Sequence, residues 1–216
     1  MIRWTRLGIF GLAFLLAGCG GSQLAIYPSQ EQNSMVQTTT RSGYTFLQST
    51  EGQTTVTVSL RSATDSYVQS YVSITNDGSS SIPVQPENIT VVTVRPSGRS
   101  LSAYAPGEVP DVVAQSAQNS AKYVRQMDVT TGTSTTAAVG GVEKTQPAGY
   151  GSGEENEEDR SYMDLMLKEQ SLSPQDVASG LVYTPFNRSI EAFRLKVAAG
   201  KTTHVFRFEA HSVEEG

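Results

Sequence analysis

The chain has 216 residues, 38% of them hydrophobic and 17% charged, with a formal charge of −5 and a single cysteine. That length suffices for one domain with a proper apolar core. The acidic balance argues against nucleic acid or anionic lipid headgroups as partners, since both attract basic surfaces, and one cysteine excludes a disulfide within the chain.

Arg3 and Arg6 precede an apolar run from Leu7 to Ala17, interrupted only by Gly8 and Gly11. The run is shorter than the about 20 apolar residues of a transmembrane helix and fits the centre of a secretory leader. It ends in Leu16-Ala17-Gly18-Cys19, which resembles the lipobox of bacterial lipoproteins. The resemblance implies that residues 1–18 are removed, that the Cys19 thiol receives a diacylglyceryl group and that the new amine is acylated. An ordinary leader with a chance cysteine is the alternative; it leaves unexplained why charge, run length, small residues and cysteine fall in register. Several acyl chains hold durably where one holds marginally, at ~0.8 kcal/mol per buried methylene. Gly20 stands where Asp tends to retain Gram-negative lipoproteins at the inner membrane. The resemblance therefore implies a lipid anchor in the cell envelope, at the outer membrane facing the periplasm if the cell is Gram-negative.

From Cys19 to Arg41 the chain is polar and rich in small residues, which predicts a flexible tether between lipid and domain. A β domain is expected over residues 42–216. Thr55, Thr57 and Ser59 alternate with Val56, Val58 and Leu60, the signature of a half-buried strand. Tyr67 to Ile74 forms a second strand with Val72 and Ile74 as its core pair, closed by a turn at Asn76-Asp77-Gly78. Ile82-Pro83-Val84 and Ile89 to Val94 follow, and Arg99 to Tyr104 adds a short strand. An insertion is expected at about 108–172. Within it Asp111 to Asp128 has helical spacing, Val129 to Gly153 has the low complexity of disorder, and a helix spans about Glu157 to Glu169. Leu181 to Phe186, Ala192 to Val197 and Thr203 to Glu209 return to strands. Phe193, Leu195 and Val197 share one face, as do His204, Phe206 and Phe208.

About seven strands at this spacing predict a mainly β, two-sheet sandwich. The stretches Tyr71 to Asn76, Ile82 to Ile89, Leu172 to Tyr183 and the closing pair of strands resemble immunoglobulin-like domains of extracytoplasmic bacterial lipoproteins. That resemblance implies an immunoglobulin-like β-sandwich and a non-enzymatic module.

Chemical motifs are sparse. Gly200-Lys201-Thr202 imitates the end of a phosphate-binding loop, but Leu195 stands where the first glycine belongs and a strand follows instead of a helix. Gly149, Gly151 and Gly153 have neither the spacing nor the preceding strand of a dinucleotide fingerprint, and Gly149 to Gly153 sits outside any strand–turn–helix context for a nucleophilic serine. His204 and His211 differ in parity and fall on opposite faces of a regular strand, which opposes a shared metal site. Glu154 to Asp159 lacks the ligand spacing of a calcium loop. Tyr67, Tyr71, Tyr104 and Tyr123 offer either an aromatic binding surface or core-edge packing. Cys19 is thus the one site residue, as the lipidation point; catalytic residues, cofactors and metals are not expected. The expected function is a binding or scaffold module that reaches the membrane through lipid and docks a protein of the envelope. An envelope hydrolase with a site hidden in the fold, or a carrier of a small apolar ligand, are the competing readings.

Overall fold

The computed structural model describes residues 24–41, 43–105, 108–109 and 162–212. The fold is mainly β. The strands are β1 (Leu24–Pro28), β2 (Val36–Arg41), β3 (Tyr44–Glu51), β4 (Thr54–Ala63), β5 (Tyr67–Asn76), β6 (Ile82–Val84), β7 (Ile89–Arg95), β8 (Ser100–Ser102), β9 (Gln170–Leu172), β10 (Val177–Pro185), β11 (Ala192–Ala199) and β12 (Thr202–Ser212). One short helix, α1, spans Tyr162–Leu165. Hydrogen-bonded neighbours run β10-β5-β4-β1-β12-β11-β7-β8, with the β2–β3 hairpin attached to β4, while β6 and β9 form a separate pair. Every strand pairing is antiparallel. The long path bends back on itself. Just beyond β8 the Tyr104 N–H donates to the Tyr183 carbonyl of β10 at 2.9 Å, joining the two ends of the order.

Alternation in the sequence explains the inner layer. Val56 and Val58 of β4 are buried, as are Phe193, Leu195 and Val197 of β11 and Phe206 and Phe208 of β12. Leu195 lies opposite Phe206 and Phe193 opposite Phe208, so one parity of each strand fills the main core. Gly200, at φ 60°, turns β11 into β12. The Gly200-Lys201 stretch is therefore a hairpin turn.

β5 departs from half-burial. Every residue from Tyr67 to Ile74 is buried. Val68, Val72 and Ile74 face the main core, whereas Tyr67 and Tyr71 join Phe46, Leu181 and Tyr183 in a second cluster with Val109, Leu165 and Met166. The sequence carries apolar or aromatic residues at both parities here, and the second face is covered by the two flanks of the insertion. Asn76 stays in the strand instead of serving as the turn. Its buried side chain donates to the carbonyls of Ser80 and Leu172, both at 2.9 Å, and its Oδ1 accepts the Gly78 N–H.

Three expectations need correction. The flexible tether of residues 19–41 fails from Leu24 onward, because β1 lies along β12 from Leu24↔Ser212 to Pro28↔Phe208 and β2 lies along β3. Leu24 and Ile26 pack against the main core, two apolar residues too few to stand out as a period among their polar neighbours. Against the expected count of about seven strands the described residues form twelve, with β1, β2, β3 and β9 among those not anticipated. The helix expected to reach Glu169 stops at Leu165. Met166 instead bridges Leu181 in parallel and the Leu167 N–H donates to the Leu181 carbonyl at 2.9 Å. The remainder of the insertion, with its helical, low-complexity and acidic stretches, lies outside the described residues, as do residues 1–23 with Cys19.

Candidate functional site

β12 carries both histidines and sends them to opposite faces, as parity requires. His204 points inward and is wholly buried, with Ser49 of β3 and Thr54 of β4. Its Nδ1 lies 3.0 Å from Ser49 Oγ and its Nε2 2.8 Å from Thr54 Oγ1. Thr54 Oγ1 also donates to the Glu51 carbonyl at 3.2 Å. A hydroxyl on each ring nitrogen satisfies a neutral imidazole, because each hydroxyl can donate or accept. A serine beside a histidine is the start of a nucleophilic pair. Here both members are sealed from solvent, and the contact works as a polar pin joining three strands.

Burial pushes the His204 pKa below its ordinary 6.5; the charge of Glu51 and the Ser49 backbone partly offset it. As pH falls, the unfolded chain therefore takes up this proton before the folded chain does. The stability associated with the neutral ring is complete above about pH 6.5 and is lost as pH drops below that value. Urea midpoints should fall between about pH 7.5 and about pH 5, and His204→Gln should flatten that slope. A slope unchanged by the substitution would assign it to other groups.

His211 is exposed, with its ring 6.0 Å from that of Tyr27 and its Nε2 3.9 Å from Glu209. Together with Pro28, Ser29, Gln30 and Glu31 they line an open cleft of about 490 Å³. Gln32 follows Glu31 and is held to β12. Its carboxamide donates to the Arg207 carbonyl and accepts the Arg207 N–H, continuing the ladder that β1 begins along β12. Next to the cleft the chain enters β2. Gln37, Thr38, Thr39 and Thr40 are exposed, and among the described strands β2 pairs with β3 alone, in unbroken register from Val36↔Ser49 to Arg41↔Tyr44.

No family model, curated protein or solved structure matches the chain.

The residues singled out in the sequence divide sharply. His204 and His211 are kept apart, and no group of three His, Cys, Asp or Glu among the described residues is placed to hold a metal ion. Tyr67 and Tyr71 are buried and Tyr104 is half-buried, packed in the second cluster, with the Tyr67 and Tyr183 rings edge to face at 5.5 Å. Tyr123 lies outside the described residues. The β2 edge and one wall of the cleft, Tyr27 to Glu31, fall inside the expected tether, while the other wall, Glu209 and His211, comes from β12. The signal for the β2 edge is the strand propensity of Val36 and Thr38-Thr39-Thr40, set in a polar, small-residue stretch that predicts a tether.

Proposed function

We propose that the chain is a lipid-anchored module of the bacterial cell envelope, held by acylated Cys19, whose β domain docks a protein along the open edge of β2. The anchor follows from the Leu16-Ala17-Gly18-Cys19 motif, and Gly20 directs it to the outer membrane of a Gram-negative cell. The edge is the observation that carries the docking. Edge strands are ordinarily blunted by proline, lysine or a bulge, because their free N–H and C=O groups recruit further strands. From Val36 to Thr40 β2 has none of these, and Met35 at its start is 55% exposed. An extended segment of another protein can add to such an edge through main-chain hydrogen bonds. A hydrolase built on the Ser49–His204 pair would need that pair open to water, and a carrier would need an apolar cavity. The sealed pair and the cleft with Glu31, Glu209 and His211 favour docking over both.

For the fold, an immunoglobulin-like sandwich would separate the strands into two sheets. The continuous order from β10 to β8 supports two faces of one wrapped sheet, so the proposal keeps the sandwich only in that sense.

Two measurements test this function. Wild type should incorporate labelled palmitate and Cys19→Ser should not; equal incorporation would sink the anchor. A photo-crosslinking residue at Gln37 should give a discrete adduct in intact cells, absent when the crosslinker sits at exposed Glu87. Thr39→Lys should abolish that adduct, since an edge lysine opposes strand addition. An adduct indifferent to Thr39→Lys would remove β2 from the docking surface.

A further inference from the structure

We infer that β1 holds the domain upright and close against the lipid surface, with the Thr64–Ser66 and Asn187–Ser189 turns at the headgroups. This rests on the proposed acylation of Cys19. Five residue steps separate Cys19 from Leu24, a reach of at most ~18 Å, whereas a tether extending to Arg41 would reach ~75 Å. Leu24 is not a loose end. It pairs with Ser212 on one side and with Ala63 on the other, and Ile26 pairs with Ala210. The lipid is thus tied to one end of the sheet. At that end β4 turns into β5 through Thr64, Asp65 and Ser66, and the Phe186 N–H donates to the Ser66 carbonyl at 3.0 Å. Arg188 pairs with Asp65 across the two turns.

The opposite end is made by Gly52-Gln53 and Gly200-Lys201. These turns meet there: a Cβ on Gly52 would lie 3.0 Å from Thr202 Oγ1. The ten steps of β12 between Thr202 and Ser212 put the two ends ~33 Å apart along the strand. Charge favours the upright pose. Near the anchor Arg61, Arg95 and Arg188 offset Asp65, Glu191 and Glu209, whereas at the far end Lys201 offsets only part of Glu51, Asp77 and Asp176, so anionic headgroups repel the far end more strongly. The partner of this end is therefore the lipid surface itself, and the β2 edge runs away from it, with Val36 level with Ser49 toward the far end.

The test uses the full lipidated chain in liposomes containing a lipid with a nitroxide on its headgroup. A fluorophore is attached at Ser66→Cys or at Gln53→Cys, both exposed positions. Quenching at residue 66 should exceed that at residue 53 at least about threefold, given ~33 Å between the ends. Inserting about 20 Gly/Ser residues between Gly20 and Gly21 adds ~25 Å of flexible reach and should bring quenching at 66 down to the level at 53, with flotation unchanged. Equal quenching at the two positions, or quenching at 66 that survives the insertion, overturns the upright pose. Failure to incorporate palmitate or to float with the vesicles overturns the acylation instead.

Discussion

Gly180→Ala should destabilise the chain by about 3 kcal/mol, the upper end of ordinary overpacking costs. A Cβ at this position would lie 2.4 Å from the Leu167 nitrogen, 2.7 Å from the Met166 carbonyl carbon and 2.8 Å from the Leu167 Cα. All three are backbone atoms, so no side chain can swing aside. The segment returning from the insertion must move away from β10. It would take with it the Leu167 N–H bond to Leu181 and the burial of Leu165, Met166 and Leu167, each at most 6% exposed. Tyr71, Leu181 and Tyr183 would lose part of their cover. Val177→Ala, at the 41% exposed start of the same strand, should cost less than about 1 kcal/mol. Urea unfolding followed by circular dichroism compares the two. Similar small effects would show that the insertion flank yields readily and that the close approach at Gly180 is not needed for stability.

Phe193→Ala should be at least as damaging, at ~3–5 kcal/mol for a large-to-small change in a packed core. The Phe193 ring is 1% exposed. It stacks on Phe208 and meets Phe186 edge to face, with both centroid distances 5.3 Å. Its removal opens a void between β11, β12 and the loop after β10, and no disulfide offsets the loss in a chain with one cysteine. Against a typical total of ~5–15 kcal/mol this is a large share. Arg194, the next residue, is exposed on the other face, and Arg194→Ala should change stability by less than about 1 kcal/mol. If the two substitutions shifted the urea midpoint equally, β11 would not be half-buried and the main core would lack this wall.

The amino-acid sequence by itself determined the parity of β4, β11 and β12. Alternation at period two is a local property, and one buried face is enough to pin it. It also determined that Gly200-Lys201 is a turn and that the two histidines face apart. Only the tertiary structure decided the rest, because the deciding partners are remote in the chain. Leu24 and Ile26 become a strand by finding Ala63, Ala210 and Ser212; in isolation so short a run among polar residues carries too little apolar surface to offset its ordering entropy. β5 is buried on both faces because the insertion flanks settle on Tyr67 and Tyr71, a contact that no period in β5 encodes. His204 is inward by parity, but its role as a pin depends on Ser49 and Thr54, brought to it across 155 and 150 residues.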